Sequence, residues 1–188
     1  MHRHSLRGVA VVAACASLLA GGVSSASAAA NRTTLRGSAP AWASARHLSG
    51  PADSAGTVQF RVYLGWRDAD AAAALAQAVS DPRSASYGTF LTPSQFRRRF
   101  APSASQVQTV RKWLTQQGFD VAYIPSNNHY VAAEGTVAQA EAAFGATMKT
   151  YAINGERVRS PSGDVSIPSS LAGAVTGVIG LDDSAVFV

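Results

Sequence analysis

The chain has 188 residues, 47% of them hydrophobic and 14% charged, with a formal net charge of +5 and one cysteine. That length suits one ordinary domain with a sizeable core and excludes a large two-domain enzyme. The apolar content excludes a disordered or fibrous chain, and a lone cysteine excludes a disulfide framework or a Cys-rich zinc site.

Arg3 and Arg7 precede a weakly apolar run from Gly8 to Val23, which is 16 residues long. A helix needs roughly 20 residues to cross a bilayer, so the run is too short for a stable anchor. It leads into Ala26-Ser27-Ala28 and Ala28-Ala29-Ala30, two small-x-small patterns that place cleavage after Ala28 or Ala30. A charged start, a short apolar middle and small residues at the end make residues 1–30 a secretory signal peptide. Val12-Ala13-Ala14-Cys15 resembles a lipoprotein box, but the apolar run continues past it through Leu18 and Leu19. Without residues 1–30 no cysteine remains, and 14 Lys and Arg against 11 Asp and Glu give +3. That mild balance in an extracellular protein gives no case for a nucleic-acid partner. Arginine outnumbers lysine 14 to 2, which hints at a GC-rich bacterial source.

Residues 31–56 are rich in Ala, Ser, Arg, Gly and Pro without periodicity, which predicts a flexible linker. The alternation from Val58 to Leu64 predicts a half-buried strand with Val58, Phe60, Val62 and Leu64 inward. A helix follows, capped near Asp68 or Asp70, with Ala71, Leu75, Ala78 and Val79 on one stripe and Pro82 as its stop. Thr92 then caps a short helix with Pro93 in its first turn. Ser103 and Gln106 form a capping box for a longer helix with Val107, Val110, Trp113 and Leu114 on its apolar face, closed by Gly118. Val121–Ile124 and His129–Ala133 are two strands joined by the turn Pro125-Ser126-Asn127-Asn128. Thr136 and Gln139 make another capping box ahead of Val137, Ala140 and Phe144, with Gly145 as stop. Met148–Ile153 is a strand, and Asn154-Gly155 signals a hairpin. A short helix after Pro168 and the apolar stretch Val175–Leu181 finish the chain. The order amounts to an elaborated βαββαβ plan: an α+β, ferredoxin-like sandwich with an antiparallel sheet and helices on one face.

Catalytic chemistry is not legible in these residues. A nucleophile needs a base within reach, yet no serine sits in Gly-x-Ser-x-Gly and only His47 and His129 lie beyond the signal. Two distant histidines and scattered acids do not make a metal site, and the Asp182-Asp183 pair reads as terminal and solvated. Arg97-Arg98-Arg99, between Phe96 and Phe100, reads as a solvated face whose flanking rings are buried, although it could grip an acidic partner. Tyr63, Tyr123, Tyr130 and Trp113 could form stacking platforms for RNA, but there is no RNP-like motif and the chain carries an export signal.

The segment from Ser80-Asp81-Pro82-Arg83 through Tyr87-Gly88-Thr89-Phe90-Leu91-Thr92-Pro93 to Phe96 resembles the activation domain of sedolisin-type serine-carboxyl peptidases, the kumamolisin group. The likeness continues through Phe100-Ala101-Pro102-Ser103, Trp113-Leu114, Gly118-Phe119, Gly135-Thr136, Phe144-Gly145, Ile167-Pro168 and Gly180-Leu181-Asp182, covering about Val58 to Asp183. The resemblance implies a ferredoxin-like propeptide over residues 57–188 that assists folding of a protease domain, blocks its cleft and is cut away at acidic pH. It implies that the catalytic Glu, Asp and Ser and a calcium site belong to that protease domain. No Gly-Thr-Ser occurs here, so none of those roles transfers to this chain and no cofactor is assigned to it. Because the sequence stops at Val188, it is expected to be a fragment or truncated product acting in cis, or a free-standing inhibitor acting in trans. A non-proteolytic extracellular binding module is the remaining alternative. With helices on one side of the sheet, Gln59, Arg61 and Tyr63 face outward, and they are the expected partner interface.

Overall fold

The computed structural model describes residues 31–184. The expected signal peptide, its cleavage positions Ala28 and Ala30, and Cys15 lie outside the described residues. Among the described residues nine strands run in chain order: β1 (Arg32–Thr34), β2 (Leu48–Pro51), β3 (Thr57–Leu64), β4 (Asp120–Tyr123), β5 (Tyr130–Thr136), β6 (Met148–Ile153), β7 (Glu156–Pro161), β8 (Ser166–Pro168) and β9 (Val175–Ile179). Within the same described residues, four α-helices join them: α1 (Ala69–Ser80), α2 (Pro93–Phe100), α3 (Ala104–Gln116) and α4 (Val137–Phe144).

The helix starts follow local chemistry. Thr92, Ser103 and Thr136 each accept from the backbone N–H three residues on, and Gln95, Gln106 and Gln139 reach back to the capping residue's own N–H. Each reciprocal pair satisfies two donors that a helix N-terminus leaves orphaned. Asp68 caps α1 through the Ala71 amide.

The main sheet has the order β4-β5-β3-β9, with every neighbouring pair antiparallel. This is the ferredoxin-like arrangement, and α3 and α4 cover one face of it. The inward residues of β3, namely Val58, Phe60, Val62 and Leu64, are all buried. They meet Val107, Val110 and Leu114 of α3 and Val137, Ala140 and Phe144 of α4 in one core. At its centre the Phe60 ring stands edge-on to Phe119 at 4.9 Å and to Phe144 at 5.2 Å, favoured quadrupole geometries. Helix α1 lies shallower than its stripe predicts: Ala71, Leu75 and Ala78 are half-buried, and Val79 is the helix's one buried residue.

Two expectations are corrected. The βαββαβ order would place Met148–Ile153 as the fourth strand of the sheet, but that place belongs to β9, with Val62 opposite Val178. Strand β6 instead joins β2 and β7 in a separate three-stranded sheet, its hairpin turned by Asn154 and Gly155, both at positive φ. The second correction concerns residues 31–56, which are not a featureless linker. Strand β1 pairs with β8, and β2 pairs with β6. Arg32 fastens this region by donating to the Ser166 hydroxyl at 2.8 Å and to the carbonyls of Ser166 at 2.6 Å and Ala143 at 2.7 Å. The Ala143 carbonyl lies in the last turn of α4, where a cation also meets the negative end of the helix dipole.

Two further contacts close the fold. Asp164 accepts from the backbone amides of Gly37 at 3.1 Å and Ala39 at 3.0 Å, tying the N-terminal segment to the β7–β8 loop. Near the C-terminus, Asp183 accepts from the Arg159 amide and returns a backbone N–H to the Arg159 carbonyl at 3.1 Å. The Arg159 guanidinium lies 3.8 Å from its carboxylate, so Asp183 is engaged with β7 rather than simply solvated.

Candidate partner interface

Among the described residues, no helix covers the second face of the main sheet. Period-two alternation sends Gln59, Arg61 and Tyr63 of β3 to that face, as expected, with Gln59 and Arg61 exposed and Tyr63 half-buried. The antiparallel register sets Glu134, Ala132 and Tyr130 of β5 beside them. On the next strand Asp120 stands opposite Glu134 and Tyr123 opposite Ala132. Beyond β3, Ile179 lies opposite Arg61.

These side chains form two electrostatically distinct halves. In one, the Gln59 amide donates to the Glu134 carboxylate at 3.0 Å, and Asp120 lies in the adjoining row. In the other, the Arg61 guanidinium lies over the Tyr130 ring, 5.2 Å from its centroid. Tyr130 also touches Tyr63 at 5.4 Å and Tyr123 at 6.2 Å between centroids. A guanidinium lying over a tyrosine face keeps its charge and its fork of donors while losing rotamer freedom, so it is pre-organised for a carboxylate. Tyr123 is 57% exposed and Ile179 63% exposed, which is much apolar area to leave in water. Between the halves, Arg61, Ala122, Ala132, Glu134 and Ile179 line a shallow hollow of about 280 Å³.

Position 180 explains one glycine of the sequence motif. Gly180 has φ +98°, and a Cβ there would stand 2.6 Å from the Gln59 carbonyl oxygen. Only glycine lets the chain leave β9 so close to β3.

The sequence picks out the three β3 residues but not their company. Tyr123 and Tyr130 join Tyr63 on the outer face, whereas Trp113 packs edge-on against Phe144 at 5.5 Å on the core side. The pairing register of β5 with β3 is the signal that groups them. His129 is half-buried with its ring edge-on to Trp66, centroids 3.9 Å apart, and among the described residues its ring meets no carboxylate or hydroxyl. Arg97, Arg98 and Arg99 are exposed and Phe100 is buried, but Phe96 is only half-buried rather than sealed as expected. Among the described residues, no group of three or more His, Cys, Asp or Glu is arranged to hold a metal ion. Among the same residues, no helix is long and apolar enough to cross a membrane.

The domain is thus an α+β fold with one dry, helix-covered sheet face and one open face that is aromatic and charged. Residues 44–184 match the family "Pro-kumamolisin, activation domain", and the chain belongs to that family, the propeptide domain of sedolisin-type peptidases. It is 36% identical over 125 residues to xanthomonalisin of Xanthomonas sp. (strain T-22), covering 66% of this chain and 15% of that protein. It is 33% identical over 127 residues to sedolisin of Pseudomonas sp. (strain 101), covering 68% of this chain and 22% of that protein. Tripeptidyl-peptidase sed1 of Aspergillus fumigatus is 30% identical over 105 residues, covering 55% of this chain and 16% of that protein. The chain therefore spans less than a quarter of the length of each of these relatives.

Proposed function

We propose that this chain is the propeptide of a secreted, acid-acting sedolisin-type peptidase, serving as intramolecular chaperone and inhibitor until acid-triggered processing removes it. The observation that carries the reading is the family match over residues 44–184, which covers nearly the whole described fold. Residues 1–30 export the chain and are cleaved after Ala28 or Ala30. The open sheet face docks on the catalytic domain, with Gln59, Arg61 and Tyr63 at its centre. Arg61, held over Tyr130, pairs with a carboxylate of the peptidase, while Tyr63, Tyr123 and Ile179 supply apolar contact.

Acid release follows from that pair. A carboxylate facing a guanidinium titrates below its ordinary value of about 4, so the contact holds at mildly acidic pH and fails once the carboxylate is protonated. No nucleophile, base or cofactor of this chain enters the reaction, and the surface serves equally in cis or in trans. The test is to refold denatured sedolisin catalytic domain with and without an equimolar amount of this chain, then assay peptidase activity at about pH 6 and about pH 3. The expected result is a higher refolding yield, inhibition at the higher pH and relief at the lower. No gain in yield together with no inhibition would contradict the reading.

A further inference from the structure

A second surface lies at one end of the main sheet. Trp66, just past β3, stands edge-on to Phe96 of α2 at 5.0 Å, and Leu91 and Pro93 complete the apolar walls of a groove of about 340 Å³. Asn127 and His129 line it with polar groups, and Arg97 stands at its rim. The segment that brings Leu91 there is ordered by backbone hydrogen bonds, Tyr87 to Ser84 at 3.1 Å, Gly88 to Val79 at 3.0 Å and Thr89 to Ser86 at 3.0 Å. It nonetheless leaves Tyr87 57% and Phe90 70% exposed. Large rings held in water by a hydrogen-bonded loop forgo roughly 25 cal/mol per Å² of burial, which a bound partner recovers.

Charge says which partner. From Ser84 to Ala101 there is no Asp or Glu, but there are three arginines. Among the described residues no carboxylate pairs with Arg97, Arg98 or Arg99, while Asp81 and Asp68, at the two ends of α1, are engaged with Arg83 and the Ala71 amide. The Arg67 guanidinium donates to the carbonyls of Arg98 and Ala101, fixing the end of α2 from which the arginines project. Planar guanidinium forks match carboxylates, and a concave groove takes one side chain rather than a flat bilayer.

We propose that this end groove docks an acidic polypeptide segment, seating one apolar side chain against the joined Trp66 and Phe96 rings beside Leu91 and Pro93, and pairing its carboxylates with Arg97 and Arg98. The site is separate from the open sheet face and does not depend on that face's role. Its test uses the full chain and the labelled peptide Asp-Glu-Phe-Asp-Glu-Leu, with the Asn/Gln counterpart and anionic phosphatidylglycerol vesicles as comparisons. The acidic peptide is expected to bind at neutral pH and to shift the indole N–H resonance of Trp66 but not those of Trp42 and Trp113. Arg97→Gln/Arg98→Gln, with melting temperature unchanged, is expected to weaken binding at least tenfold, as is raising NaCl from about 50 to about 500 mM. Equal binding by the double variant, equal binding of the neutral peptide, an unmoved Trp66 resonance, or binding of vesicles but not of peptide would each overturn the proposal.

Discussion

The two faces of strand β3 differ in nearly every physical respect, although they alternate residue by residue. Val58, Phe60, Val62 and Leu64 are sealed against α3 and α4, while Gln59, Arg61 and Tyr63 meet only a thin layer of polar and aromatic neighbours. The inner face is held by burial, which is non-directional and proportional to area. The outer face is held by few, directional contacts: one amide–carboxylate hydrogen bond, one cation–π contact and tilted tyrosine pairs. Stability therefore resides on one side of the strand, and the partner recognition proposed above on the other. That separation can be broken or sharpened by substitution.

The largest effect is expected inside. Phe60→Ala removes the ring that joins Phe119 and Phe144, and the cavity left should cost about 3–5 kcal/mol in denaturant unfolding. Next comes the crossing of β9 past β3. Gly180→Ala must adopt φ near +98° with its Cβ against the Gln59 carbonyl, so a loss of roughly 1–3 kcal/mol is expected by the same measurement. Smaller still is an effect remote from both faces. The amides of Ala39 and then Gly37 hold Asp164 below the ordinary carboxylate value. A depressed carboxylate stabilises the fold fully above about pH 4, and that contribution fades as pH falls through its folded value. Melting temperature against pH should therefore drop less steeply below about pH 4 for Asp164→Asn than for the unaltered chain, the two curves converging at the acid end. Arg61→Ala and Tyr63→Ala should move stability least of all, because each leaves the core untouched.

Local chemistry made much of this fold legible in the sequence. A capping box needs residues three apart, and an Asn-Gly turn needs two adjacent residues at positive φ, so Thr136–Gln139 and Asn154-Gly155 announce themselves. Partner choice among strands is not local. The sequence reads Met148–Ile153 as a strand and Val175–Leu181 only as an apolar stretch, and only the assembled structure decides which of them lies against β3. The pairing of Val62 with Val178 closes a loop of more than a hundred residues, a competition that no short window encodes. The same holds for β1 and β2, three and four residues long, whose partners lie about a hundred or more positions away. On the candidate interface, alternation along β3 exposed Gln59, Arg61 and Tyr63, but Tyr130, Glu134 and Ile179 join them only through interstrand register.

The most direct measurement is the inhibition constant of the Arg61→Ala/Tyr63→Ala chain against a sedolisin catalytic domain, taken beside its melting temperature. An inhibition constant raised at least tenfold with an unchanged melting temperature is the predicted result. An unchanged inhibition constant would contradict the assignment of partner recognition to the open face of the sheet.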